Sequence, residues 1–396
     1  GVEVEHQGGD PRIGQQRQAV DRFRVANARL ARLQLRQSMV GRWFFMIVGT
    51  IFSVLRRRGA GMDHARADVL QPGTAQVAAI ARLARLYSSE RPDIVHHFTI
   101  KCAVYGSIAA KLAGVPVIVN ALAGLGSTHP ACGGRSHRLA RMLALSSLTM
   151  ALPGTRVILQ NPEDRDFLVA RGVARRAQCA LIRGSGVDLS RFRPPAARPP
   201  SPVSVLLASR LLWRKGLAEF AGAARLVRRR HPCIRFAVAG GLDDGNPDAL
   251  TPADIRSLRE TGGIDILGHV EDMNSLLART SIVALPTTYG EGVPRILIEG
   301  AASGLPLVAS DVPGCREIVR DGVNGFLVPP GDTVALAGAI ERLASDDRLR
   351  ERLGAASRRL AVAEFGEDAI IEATLALYRM PATTVAPDVK AVAAER

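Results

Sequence analysis

Two rhythms of apolar and polar positions alternate along most of this chain. Short continuous apolar runs predict buried strands, and longer stretches with apolar residues every three to four positions predict amphipathic helices. From Pro72 onward the rhythm predicts a helix over 77–90 (VAAIARLARLYSSE) and a strand over 91–97 (RPDIVHH). A helix follows over 100–114, ending at Gly114, then a strand over 115–120 and a helix over 133–150. Next come a strand over 155–160, a helix over 163–172 closed by Gly172, and a return to the sheet over 179–188. Such alternation predicts a parallel sheet with crossover helices. RFRPPAARPPSP, residues 191–202, interrupts it with five prolines in twelve residues, which hold neither a helix nor a central strand. It reads as a semi-rigid linker. A second series of strands then begins with VSVLLAS and continues through IRFAVAGG, IDILGH, SIVALP, PLVAS and GFLVPP. Residues 335–365 are helical in composition, with an expected break at Gly354, and 367–380 form a further helix. The last sixteen residues read as a disordered tail.

The second series is organised around TTYGEGVPRILIEGAASGLPLVASDVPG, residues 287–314. The apolar run from Ser281 to Pro286 predicts a buried strand. Pro294 suits the first turn of a helix, because the N–H it lacks is unpaired there anyway. That helix is expected to run to Ser303 and stop at Gly304. Glu291 then falls in the loop after the strand and Glu299 on the helix. Both lie toward the carboxyl end of the sheet, where open α/β sheets bind ligands. The helix start suits a phosphate, and Gly290 and Gly292 allow close approach to the backbone. A carboxylate such as Glu299 only accepts hydrogen bonds, so it can hold paired hydroxyls such as those of a ribose. The amides of Gly292, Val293 and Arg295 are candidates for phosphate or sugar. The alternative for any lone pair of glutamates is an ordinary strand–turn–helix with surface acids.

EGVPRILIE followed by A-x-G-x-P resembles the signature of the family-4 retaining glycosyltransferases, which have the GT-B fold. LASRLLWRKG before it and SDVPGCREIVRDGVNGFLVPPGD after it are similar as well, and the resemblance covers roughly residues 90–380. It implies two Rossmann-like α/β domains facing a central cleft. The first, acceptor-side domain would occupy 61–195 and be incomplete, with a linker over 196–202. The nucleotide-sugar-binding domain would occupy 203–365, with a closing helix over 366–380 that returns to the first domain.

The resemblance also implies roles. Arg210 and Lys215, in SRLLWRKG, would contact the donor diphosphate, and Glu291 the donor sugar hydroxyls. Glu299 would take the ribose, and Arg295 would add charge or lie on the helix surface. Charge on a leaving diphosphate is stabilised either by a metal or by cations and helix dipoles. No DxD-type pair stands convincingly after a strand, and Asp243-Asp244 reads as loop chemistry, so a metal-free solution without a cofactor is expected. DIVHHFTIK resembles the family's histidine segment, although relatives carry His-x-His where this chain has His96-His97-Phe98. The two histidines face opposite ways on a strand. His97 is the choice for the cleft; a satisfied core histidine is the alternative. Lys101 would meet an acceptor phosphate. Gly124 and Gly126, in AGLGS, would approach the donor or acceptor. Asn161 matches the family, with helix capping the simpler reading, and Gly184 to Asp188 are structural. Retention of anomeric configuration comes from the resemblance alone. No carboxylate pair can be placed on both faces of the sugar, so no covalent nucleophile is assigned.

Charge changes the picture in one respect. The chain of 396 residues has 52 Lys and Arg against 37 Asp and Glu, a net +15. Residues 1–195 hold 28 basic and 12 acidic side chains, so the excess lies in the first half. That points to an anionic partner such as a membrane surface, or to a solvated Arg-rich face. Residues 1–60, with eleven arginines and four acids, read as an atypical segment from which the first β-α units are missing, replaced or mistranslated. Within it, Trp43 to Leu55 is an apolar run of 13 residues followed by three arginines, too short to span a bilayer with ease. It is either an interfacial segment or a buried helix. The five scattered cysteines form no CxxC pair and fit a reducing cytosol.

Together these features give a cytoplasmic enzyme, peripheral at the inner membrane face. It would move a hexose or acetamido-hexose from a UDP-type sugar to a polyprenyl-linked or other glycan acceptor. Two other readings stand beside it: the same fold with a soluble acceptor, and a degenerate protein that binds nucleotide sugar without transfer. No nucleic-acid partner is expected, because aromatic interleaving and recognised modules are lacking.

Overall fold

The computed structural model describes residues 74–125, 135–196, 202–243 and 245–379. The expectations for residues 1–60, for Trp43 to Leu55, for Gly126 and for the tail after 380 lie outside the described residues.

The first series forms α1 (Thr74–Glu90), β1 (Ile94–Phe98), α2 (Ile100–Leu112), β2 (Val117–Leu122), α3 (Arg135–Ala151), β3 (Arg156–Leu159), α4 (Pro162–Ala170) and β4 (Cys179–Leu181). Its sheet is parallel throughout, in the order β1-β2-β3-β4. The second series forms β5 (Ser204–Ala208), α5 (Leu217–Arg230), β6 (Arg235–Ala239), α6 (Pro252–Gly262), β7 (Asp265–Gly268), α7 (Met273–Ala278) and β8 (Ile282–Leu285). It continues with α8 (Arg295–Ala302), β9 (Leu307–Ser310), α9 (Pro313–Arg316), β10 (Gly325–Val328), α10 (Thr333–Ala344), α11 (Asp347–Glu364) and α12 (Glu367–Arg379). Its six parallel strands are ordered β10-β9-β8-β5-β6-β7, the doubly wound order in which the winding reverses between β5 and β8. All four residues of β8 and of β9 are buried, as expected of a sheet covered on both faces.

Helix α8 is buried over Ile296 to Ala302. A glycine at 300 lets it lie against the sheet, since a Cβ there would stand 2.9 Å from the Val283 side chain. Pro294 caps this helix with extended backbone (φ −67°, ψ 124°), one residue outside its expected place in the first turn. Gly304 leaves the helix with φ 69°, a left-handed turn suited to glycine.

The expected break at Gly354 is not there. The chain turns at Ser345 and Asp346, whose carboxylate accepts from the Leu349 N–H at 2.9 Å and caps α11. Gly354 sits inside α11, where a Cβ would come within 2.3 Å of the Gly304 carbonyl oxygen. Its small size serves packing of α11 on the end of α8.

The chain crosses between the two sheets twice, and the two crossings bond to each other. Val187 N–H donates to Phe365 O at 2.9 Å, and Glu367 N–H donates to Val187 O at 3.1 Å. Helix α12 then covers the first sheet. Ile370 and Leu377 pack with Val119, Ile158 and Ala180, and Arg156 donates to Leu377 O at 2.6 Å.

Candidate active site

The loops after β5 and β8 meet at the winding reversal. Gly216, at φ 81°, follows the short 3-10 turn Trp213–Lys215 and lies against the end of β8; a Cβ there would stand 1.9 Å from Pro286 O. Thr288 N–H donates to Arg214 O at 2.9 Å, and Thr287 Oγ1 donates to the same oxygen at 3.1 Å. These bonds set Lys215 against Glu291. Nζ lies 2.5 Å from Oε1, and both side chains are nearly buried. Thr287 Oγ1 is also 3.0 Å from that oxygen, and the Tyr289 ring centre is 5.0 Å from Nζ. Burial alone would lower the Lys215 pKa, but Glu291 and Tyr289 outweigh it and the ammonium is held above its usual range. The result is an ammonium held in a nearly buried ion pair at the ends of β5 and β8.

On α8, Glu299 is buried and accepts from Arg295 Nε at 2.6 Å through Oε1. Burial raises its carboxyl above the usual range, against the pull of Arg295. Arg295 is therefore committed to Glu299, one helix turn away. Arg210 leaves the end of β5 for solvent, where Asp243 holds it at 2.6 Å. Asp243 also accepts from Asn246 at 2.9 Å, in keeping with the loop chemistry expected for it.

The first half reaches this loop directly. Gln160, just past β3, accepts from Val293 N–H at 2.7 Å. A Cβ on Gly292 would stand 2.1 Å from the Gln160 oxygen, and one on Gly124 (φ 101°) would stand 2.4 Å from Gly292 N. Close approach at Gly124 and Gly292 is thus between backbones of the two halves, and the Val293 amide already has a protein acceptor. The groups expected to meet a ligand are engaged within the protein. Arg316 adds a second link, 2.7 Å from Glu163 of the first half and 2.5 Å from Asp311. Asn161 caps α4, accepting from Asp164 N–H at 2.7 Å.

His97 requires correction as well. It faces α1 and α2, not the carboxyl end of the sheet. Nδ1 lies 2.9 Å from Asn120 Oδ1 and Nε2 lies 3.2 Å from Tyr87 Oη. Gly106 leaves it room, since a Cβ there would come within 2.4 Å of the ring. Asn120 continues the network to Ser107 and Thr155. His97 is a satisfied core histidine. His96, on the other face, stacks on Phe98 and bonds Tyr378 of α12 at 2.6 Å. Burial lowers both histidines, His96 to about 4 with help from His97. The unfolded chain therefore takes up more protons below the ordinary histidine range, and stability falls as pH drops through that range toward 4. Thermal unfolding at pH 7 and pH 4.5 is expected to show a loss of about 1–3 kcal/mol. Replacing both His96 and His97 with Phe would flatten the part of that slope that belongs to them.

Gln160 and Arg316 escaped the sequence reading. A polar residue just past an apolar strand was the only available signal for Gln160, and many loops share it.

Two sheets of parallel strands, bridged at the mouth of a doubly wound half, define a GT-B architecture. A family model described as "Glycosyl transferases group 1" matches residues 202–346, and one described as "Glycosyl transferase 4-like" matches 57–150. The chain belongs to the family-4 glycosyltransferases with the GT-B fold. It is 28% identical over 315 residues to a glycogen synthase of Mycobacterium tuberculosis, covering 78% of this chain and 74% of that one. It is 26% identical over 310 residues to the N,N'-diacetylbacillosaminyl-diphospho-undecaprenol alpha-1,3-N-acetylgalactosaminyltransferase of Campylobacter jejuni, covering 75% and 79%. Among solved structures, Anabaena HepE in complex with UDP-glucose superposes with a TM-score of 0.63 at 22% identity, covering 75% of this chain and 81% of that one. That likeness concerns the fold.

Proposed function

We propose that the chain transfers a hexosyl or acetamido-hexosyl group, with retention, from a UDP-type sugar to a lipid-linked or other glycan acceptor in polysaccharide assembly. The supporting observation is the buried Lys215–Glu291 pair at the winding reversal, with Glu299 on the helix that follows. In this reading the donor diphosphate lies over the carboxyl ends of β5 and β8. Lys215 neutralises charge on the leaving phosphate as the glycosidic bond breaks. Glu291 keeps the ammonium in place and turns its second oxygen to a donor sugar hydroxyl. Glu299 accepts from the ribose hydroxyls, and Arg295 balances its charge. The donor takes over the Val293 amide from Gln160, so binding loosens one link between the halves. Charge stabilisation by Lys215 needs no divalent cation, and transfer is expected to survive chelation. The undecaprenol-linked relative supports a lipid-linked acceptor handled at the inner membrane face, whereas the glycogen synthase supports a soluble glycan.

Titration with UDP, UDP-glucose and UDP-N-acetylglucosamine in the presence of EDTA tests the donor site. Glu299→Ala is expected to weaken binding about 10- to 100-fold, the worth of hydrogen bonds to a charged group. Equal affinity in the variant, or no binding of any nucleoside diphosphate sugar by the native chain, would remove the reading. One observation favours a second reading, a nucleotide-sugar-binding protein without transfer: the histidine assigned to the cleft is enclosed in the first half. Donor binding with no product from lipid-linked or soluble glycans would select it.

A further inference from the structure

Gln160 is a side chain through which the first half touches the loop of Glu291, Gly292 and Val293. It stands on a rigid base. Leu159 before it ends β3 between the neighbouring strands, opposite Leu122 and Leu181. Asn161 after it is fully buried and caps α4 through the Asp164 N–H. From this base the carboxamide oxygen accepts from Val293 N–H at 2.7 Å, and among the described residues the carboxamide makes no other hydrogen bond. Around this bond the loop is enclosed by backbone. A Cβ on Gly292 would stand 2.6 Å from Ala123 O, and one on Gly314 would stand 1.6 Å from Gly292 O. Those contacts are fixed by the main chain, whereas the Gln160–Val293 bond depends on a flexible side chain. It can yield to a ligand by side-chain rotation alone.

The chemistry of the two partners defines what fits between them. Val293 offers a hydrogen and Gln160 offers an acceptor oxygen. A phosphate oxygen only accepts, so it would satisfy the amide and leave the carboxamide oxygen facing another electron-rich oxygen. A hydroxyl both accepts and donates, and it satisfies the two at once. The span across such a hydroxyl is about 4.5–5 Å, two ordinary hydrogen bonds meeting at an angle. The same loop indicates which hydroxyl-bearing group comes here. Glu291, two residues before Val293, has its Oε1 taken by Lys215 and Thr287. In the function proposed above its second oxygen faces the hydroxyls of the transferred sugar. Glycine at 292 is what lets the carboxamide reach the amide beside that carboxylate, since a Cβ there would stand 2.1 Å from the Gln160 oxygen.

We propose that Gln160 reads one hydroxyl of the transferred sugar. The hydroxyl enters the Val293–Gln160 bond, accepts from the amide and donates to the carboxamide oxygen. Gln160 is then a donor-specificity residue supplied by the first half. The inference rests on the donor site proposed above, and its test separates the two. Equilibrium titrations compare UDP, the UDP sugar that the native chain binds best, and deoxy analogues of that sugar, each lacking a single ring hydroxyl. In the native chain at least one analogue is expected to bind about 10- to 100-fold more weakly than its parent. In Gln160→Ala the penalty for that analogue is expected to shrink by about 5- to 10-fold. UDP, which has no sugar to offer, is expected to keep its affinity within about twofold. Gln160→Glu retains an acceptor oxygen and is expected to retain the discrimination. Thermal unfolding checks each variant, and Gln160→Met, which keeps the side-chain length, takes the place of an alanine variant that does not fold. Penalties of native size in the alanine variant for every analogue would overturn the proposal and leave the donor site standing. So would an equal loss of UDP and of all the sugars in that variant, the mark of a brace between the halves, or native binding that no missing hydroxyl weakens. Failure of the native chain to bind any UDP sugar would remove the donor reading, and this inference with it.

Discussion

Replacing Lys215 with alanine is expected to lower transfer about 10²- to 10³-fold and to destabilise the fold by about 3–5 kcal/mol. Both effects arise from one geometry. Lys215 and Glu291 are nearly buried and in contact at 2.5 Å. Loss of the ammonium leaves a nearly buried carboxylate without its counter-charge. It also removes the cation proposed to meet the leaving phosphate. The two consequences separate in a double variant. Lys215→Met with Glu291→Gln removes both charges together and is expected to recover most of the stability while transfer stays low. Thermal unfolding and initial rates on both variants provide the check. Recovery of transfer along with stability would show that the pair acts only as a structural brace.

Gly216→Ala is expected to cost about 2–5 kcal/mol and to weaken UDP-sugar binding in step. Two independent constraints meet at this residue. Its φ of 81° is one that alanine adopts only with strain, and the added carbon would lie 1.9 Å from the Pro286 carbonyl oxygen. The oxygen belongs to the backbone at the end of β8 and cannot rotate away. The loops after β5 and β8 must part, and Thr288 N–H then moves away from Arg214 O. Lys215 and Glu291 are carried on those two loops, so their contact opens with them. Urea denaturation and UDP titration on the same preparation test both parts. A variant of native stability with native affinity would mean that the loops adjust without parting.

The second sheet was almost wholly readable from the chain. Each of its strands is a short apolar run bounded by glycine, proline or a polar turn, and parallel strands buried on both faces carry that signal in full. Glu291 and Glu299 could be placed on loop and helix because Pro294 and Gly304 punctuate that stretch. What could not be read depended on three-dimensional neighbours. Gly354 has the composition of a break, but its role is set by the Gly304 carbonyl, fifty residues away in sequence. The orientation of His97 turned on which face of β1 receives α1 and α2, and strand periodicity fixes only that His96 and His97 differ. Gln160 acts through an amide on another loop, and no local pattern records such a partner. The pairing of Lys215 with Glu291, rather than with Arg210's neighbour Asp243, likewise comes from loop geometry.

The return of α12 to the first sheet affects how the protein is made. A ribosome releases the strands of the first sheet early. Yet Val119, Ile158 and Ala180 gain their apolar cover from Ile370 and Leu377 only after the whole second half has emerged. Until then those three residues lack the cover that Ile370 and Leu377 provide. The second sheet has its six strands complete once Val328 is made, while the first waits for α12. Synthesis therefore finishes the later half first, and a premature stop just before Glu367 would strip cover from the sheet that was translated earliest.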